Sequence, residues 1–456
     1  MRSRQISLVF LCLLGLVPTV VGQDRPVPST RQHYHKPHRY IPGVSITRPS
    51  FVHAPVFNDP MCCECQECKP QLGTTLKEYY ETDLAPDVLF PPIFEKLVNY
   101  LGLNRRRLNF YGSVEAVAWS LNSPSVQPLV TTSPRTTDQT VAGVLGQPTT
   151  STLFGGGDAF DDYRIGGRYN GAIVVTGASR WILEATYTTI GEDNVAFRAD
   201  DSLAIVARPF FNSSNSTDDA RLIVFPDLAS GNINVEAGTT FDTFQLAFRR
   251  GMRAFGGNAD FTIGYRKAQL DDFLEITDVT NSLSGATNGT RFEVRDSFQA
   301  DNQFDGVDFG VVMRMSQTER MSLDLLAKAA FGRTESVVQI DGRTITRPPG
   351  GTRTGVEGGL LAQGTNIGRF RDSSFGTFFE VGATLKYRIS QNVKATLGYT
   401  LLSWQDIARV SDQLDSAVNT SQFNGGVLDG DPRPRFRFSD SDLTAHGLRG
   451  GIEILF

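Results

Sequence analysis

Fifteen charged residues recur at every second position of strand-like segments. They are Glu115, Arg168, Glu184, Arg249, Arg266, Asp308, Arg314, Asp324, Lys328, Glu380, Lys386, Arg388, Lys394, Arg449 and Glu453, nine basic and six acidic. Side chains two apart on a strand share a face, so these charges line one side of a sheet. Two chemistries fit such a face. An open lumen would carry a transverse ladder of charge that mildly favours anions. A narrow lumen would be filled by the same residues paired with one another.

A second cluster is Cys62, Cys63, Cys65 and Cys68, the four cysteines left once Cys12 is set aside with an N-terminal leader. Four thiolates can hold a zinc ion, but such sites use two separated pairs of ligands. Adjacent Cys62 and Cys63 suit that geometry poorly. Disulfides are the alternative, and pairs this close require strained loops, so bridges to other envelope proteins are a third possibility. The cluster is read as a disulfide or metal site, with disulfides favoured in an oxidising compartment; no other metal site and no cofactor is expected. Four of the five histidines, His33, His35, His38 and His53, lie in a Pro-rich stretch that reads as a solvated tether. His446 lies near the acidic residues Asp440 and Asp442, with Asp158, Asp161 and Asp162 elsewhere in loops. A carboxylate–His pair can activate water. No spacing specific to a hydrolase accompanies it, so the chain is read as a non-enzyme, with a rim hydrolase as the least favoured alternative. Gly155-Gly156-Gly157 lacks the strand-to-helix context and lysine of a phosphate loop.

These residues need a scaffold, and composition limits which. The chain has 456 residues, 20% charged and 40% hydrophobic, with 44 Gly, 31 Phe and a formal net charge of −5. Abundant Phe and low net charge exclude a wholly disordered chain. The absence of a basic excess argues against nucleic acid as a partner. Beyond the N-terminus no apolar run reaches the about 18 residues a membrane helix needs. Arg2, Arg4, the apolar stretch from Ile6 to Val21 and Gly22 read as an export signal. Its removal takes the net charge from −5 to −7. The expected organisation is a signal peptide over 1–22, a Pro/His-rich linker over 23–60, the Cys cluster and a short amphipathic helix over 61–108, and a barrel over 109–456.

From Asn109 onward, period-two alternation recurs in ten segments. In the last, Leu448, Gly450, Ile452, Ile454 and Phe456 oppose Arg449, Gly451 and Glu453. Short turns near 177–178, 254–257, 316–319 and 390–391 alternate with long connections over 120–161, 192–240, 279–302, 340–374 and 405–444. Even strand number and alternating loop length describe an up-and-down antiparallel transmembrane β-barrel, all-β, of about ten strands. In lipid a sheet must close, because every backbone polar group needs a partner. A soluble sandwich alternates too, and is the rival fold. Phe456 is expected to act as the membrane-insertion C-terminus.

Three stretches run in order: Pro128-Leu129-Val130-Thr131-Thr132-Ser133-Pro134, then Leu153-Phe154-Gly155-Gly156, then Gly166-Gly167-Arg168. This order resembles a planctomycete family of outer-membrane β-barrel proteins known as β-barrel porins. The resemblance covers roughly residues 109–190 by motif and the remainder by layout. It implies an outer-membrane barrel acting as a passive channel or structural envelope component. An adhesion protein displayed on a sealed barrel is the alternative. The implied partners are outer-membrane lipid, the barrel-assembly machinery and envelope proteins reached through Cys62, Cys63, Cys65 and Cys68. The N-terminal extension is expected in the periplasm.

Overall fold

The computed structural model describes residues 108–122, 125–158, 163–175, 181–254 and 257–455. The signal, the linker, the Cys cluster, the amphipathic helix and Phe456 lie outside the described residues. Ten strands form the wall: β1 (Leu108–Leu121), β2 (Tyr163–Val175), β3 (Trp181–Asp200), β4 (Ala229–Ala254) and β5 (Gly257–Ser282). They continue as β6 (Arg291–Gln317), β7 (Met321–Arg347), β8 (Gly368–Arg388), β9 (Val393–Ala408) and β10 (Asp440–Leu455). Each pairs antiparallel with its sequence neighbours. β1 also pairs with β10, from Tyr111 opposite Leu455 to Leu121 opposite Ala445. That ladder closes the sheet and removes its edges, which makes the wall tolerable in hydrocarbon.

Alternation decides which side meets lipid. On β4 and β5, Phe248 is 56% and Ile263 52% exposed, and on β9 and β10 Leu397 and Leu448 are each 57% exposed. Their sequence neighbours turn inward and are buried: Ala247, Thr262 and Arg449. An apolar outer face and a polar inner one is the outer-membrane pattern. Tyr187 donates to Asp242 Oδ1 at 2.8 Å on the outer wall, and Tyr265 bonds Asp305 there. Tyrosines with an apolar body and a wet hydroxyl mark a membrane–water interface.

The strands run further than sequence reading suggests. β6 and β7 have 27 residues each, whereas about 9–11 tilted residues cross a bilayer. The stretches 192–240, 279–302 and 340–374, expected as loops, are therefore largely strand. The true β5–β6 connection is only Leu283–Thr290, with Ser282 N bonded to Thr290 O. The physical reason is burial. Above the membrane band the inner wall carries Ile233, Val235, Leu274, Ile276, Val294, Phe298, Val338 and Ile340, all buried in one apolar cluster. Chain folded back over this wall completes that cluster. Val130–Thr132, Ser151–Phe154, Val206–Asn212, Thr217–Val224 and Ala417–Val418 form a small sheet there. Val130, Val206, Ile223 and Val418 from it are buried in the same cluster. Apolar burial at roughly 25 cal/mol per Å² keeps the extended strands ordered without lipid support.

Candidate functional site

All fifteen charged residues named from the sequence occupy inward positions of the wall, and fourteen are buried or half-buried. Arg388, at the end of β8, is exposed. They form two layers. Nearest the short turns, Glu453 on β10 accepts from Lys386 Nζ at 2.7 Å and Lys394 Nζ at 2.6 Å. Lys386 also approaches Asp324 at 3.5 Å, and Arg314 meets Asp324 at 3.0 Å. Across the lumen Arg249 pairs with Asp260 at 2.5 Å and Glu184 at 3.5 Å.

The layer above is drier. Arg266 bridges Asp308 and Glu380, each at 2.6 Å, and Glu380 also takes Arg168 at 3.2 Å. Lys328 Nζ donates to Gln245 Oε1 at 2.5 Å. Glu115 accepts from Arg449 at 2.6 Å and Thr396 at 2.8 Å. Arg449 also bonds Thr400 Oγ1 at 3.1 Å and the hydroxyl of Thr384. Four cations here face three carboxylates; Gln245, Thr384 and Thr400 accept further cation donors, and Thr396 donates to Glu115. A buried ion is tolerable only when paired and hydrogen-bonded in this way. The void between Arg168, Arg266, Glu380 and Trp119 is about 10 Å³, close to the smallest space that holds one water.

A third layer has no counterpart in the sequence reading. Phe304, Phe378 and Trp404 meet at ring-centroid distances of 5.8, 6.1 and 6.0 Å. Trp404 Nε1 donates to Thr334 Oγ1 at 3.1 Å. Trp119, Leu121, Ile190, Phe241, Leu270, Leu402 and Leu443 extend the apolar cluster around them. Gly376 makes room for it, since a Cβ there would run into Thr334 Oγ1 and the Phe304 ring. Arg266 stacks on the Phe378 ring at 4.5 Å, which joins the charged and aromatic layers. The signal was present: Phe378-Phe379 and Leu401-Leu402 are apolar on both faces, so the inner face cannot be polar along the whole strand.

Above the aromatics Arg208 reaches from the folded-in sheet to the wall. It meets Asp278 at 3.0 Å and also Asp296. Asp296 Oδ1 accepts the amides of Leu360, Leu361 and Ala362 at 2.9, 3.1 and 2.9 Å. Burial opposes the charge on Arg208, but Asp296 and Asp278 outweigh it and hold the guanidinium protonated more firmly than usual.

His446 is not hydrogen-bonded to Asp440 or Asp442, and Asp161 and Asp162 lie outside the described residues. The histidine faces outward on β10, and its Nδ1 lies 3.0 Å from Tyr399 Oη. Asp442 Oδ1 instead accepts the amide of Asp406 at 3.4 Å. Among the described residues no group of three or more His, Cys, Asp or Glu could hold a metal.

The profile of the family described as "Putative beta barrel porin-7" matches residues 111–456, which is every barrel strand. The chain belongs to this family. The match makes it a porin-family outer-membrane β-barrel, and the ten-strand closed wall is the family's scaffold in this chain. A comparison with curated proteins returns no match. Among solved structures the porin-family barrel is similar to the outer membrane protease OmpT of Escherichia coli. The identity is 8%, the TM-score 0.35, and 76% of this chain and 97% of that one are covered. It is also similar to a Pseudomonas aeruginosa FadL homologue at 7% identity, with a TM-score of 0.21 and 77% and 90% coverage. The toluene transporter TodX of Pseudomonas putida gives 8%, 0.17, 76% and 89%.

Proposed function

We propose that this porin-family barrel rests closed in the outer membrane and serves there as a structural envelope component. The observation that carries the reading is the sequence of three closures along one lumen. The paired charges leave a void of about 10 Å³, the aromatic layer is apolar and buried, and the folded-in sheet covers both. A hydrated ion cannot pass these without displacing buried side chains. The charged lumen is read as a fill that keeps polar groups away from lipid, where an Arg or Lys near the midplane costs about 2–4 kcal/mol.

The barrel is read as non-catalytic, and the position of His446 on the outer wall against Tyr399 supports that. β1 starts and β10 ends at the short-turn mouth. This supports a periplasmic entry point for the preceding chain, whose Cys62, Cys63, Cys65 and Cys68 would be available to envelope partners. Lipid contact and the barrel-assembly machinery complete the proposed partners.

The test is planar-bilayer recording of the detergent-folded chain, after a heat-shift gel has shown a folded barrel. The expected result is insertion with no discrete conductance steps. Anion-selective steps from the unaltered protein would overturn the closed reading and restore the lumen charges as a pore lining.

A further inference from the structure

The lumen widens at its short-turn end into a cavity of about 370 Å³. Its charged lining is unbalanced. Arg249, Arg314, Arg320, Lys386, Arg388 and Lys394 face it, and Glu453 is the one carboxylate among the lining residues. Four of these cations are paired: Arg249 with Asp260 and Glu184 and Arg314 with Asp324, all three carboxylates behind the lining, and Lys386 and Lys394 with Glu453, Lys386 also approaching Asp324. Arg320 and Arg388 have no ion-pair partner among the described residues. They are neighbours, since Arg388 N donates to Arg320 O at 2.7 Å across the adjoining strand ends. Arg388 shares the inward parity of Lys386, Thr384 and Glu380, so its side chain leaves towards the lumen mouth and not the lipid wall.

We propose that this mouth binds a small polyvalent anion of the phosphate class that enters from the periplasm. Two unpaired guanidiniums rooted side by side can each present a planar fork, and phosphate oxygens accept such forks two at a time. The Ser322 hydroxyl and Asn109 line the same cavity and add neutral donors. The volume suits a phosphate or diphosphate group with its waters, at about 30 Å³ per water, and is too small for a folded partner. With the other four cations matched by four carboxylates, the surplus positive charge at the mouth is that of Arg320 and Arg388. A lipid phosphate is a poorer occupant, because the cations face inward. The inference goes beyond the closed-barrel reading: the mouth lies on the turn side of the sealed layers, and its occupancy needs no passage through them.

The experiment is calorimetric titration of the detergent-folded full chain with pyrophosphate at low salt. Saturable binding is expected. The R320Q/R388Q variant is expected to weaken it by about tenfold or more, because charge-assisted bonds are the strong contacts available to an anion. Both side chains are exposed, so the variant should keep the heat-shift of the folded barrel. R291Q/R347Q removes the same charge where β6 pairs with β7 at their far ends, and is expected to bind as the parent does. Two results would overturn the proposal: no saturable binding by the parent, or equal weakening in both variants, which would reduce the effect to net charge.

Discussion

Arg208→Met is expected to destabilise the barrel's outer half by about 3–5 kcal/mol, the range seen when one partner of a buried ion pair is removed. Arg208, Asp278 and Asp296 are all almost wholly buried. Methionine fills similar space, so the loss is electrostatic and not a cavity. Asp278 retains Arg221 at 3.1 Å, but one oxygen of Asp296 is left facing an apolar cluster. The value is read from urea unfolding of the detergent-folded protein, with limited proteolysis of the 358–366 segment as a local probe. Adding Asp296→Asn to this variant is expected to recover part of the loss. The amide oxygen can still accept the three backbone N–H groups, and the unpaired charge is gone. A single-variant loss below about 1 kcal/mol would show that the site is hydrated and the pair weak.

Trp404→Ala is the second large effect. The side chain is fully buried against Phe304 and Phe378 and donates to Thr334. Its removal leaves a cavity and an unpaired hydroxyl, with an expected cost of about 3–5 kcal/mol. Trp404→Phe keeps most of the ring packing and is expected to cost less. The barrel should nevertheless remain silent in bilayers, because the paired charges below and the folded-in sheet above are untouched. Conductance steps from a folded Trp404→Ala barrel would place the whole closure in the aromatic layer. Denaturant midpoints and bilayer recording read these two outcomes separately.

Pairing in the charged layers explains why a list of lumen residues is not yet a site. Arg449 and Glu115 are 334 positions apart and meet at 2.6 Å because β10 closes onto β1. Arg168 and Glu380 are 212 apart and meet across the lumen, between strands that are not neighbours. Register sets the first contact and barrel diameter the second, and neither is written in a single strand's alternation. Asp260, Gln245 and Arg320 belong to the same layers. Asp260 and Arg320 sit at strand ends, where alternation is too short to read, and Gln245, legible on the inward face opposite Phe244 and Leu246, carries no charge.

Local pattern was enough to define the wall. Period-two alternation is a property of each segment alone, so ten strands, their inward charges and their lipid-facing Phe, Ile and Leu could be read locally. The motif order around Pro128–Arg168 indicated the family, and the family match over residues 111–456 agrees with it. How far the strands continue, and how the lumen is packed, depend instead on contacts between distant segments. Stretches such as 279–302 look like loops because their polar residues are frequent. Outside the connection Leu283–Thr290 this stretch is strand, because Val294 and Phe298 face a cluster assembled from chain as distant as Val130, Val206 and Val418. Burial is a sum over residues remote in sequence, and no local pattern contains it.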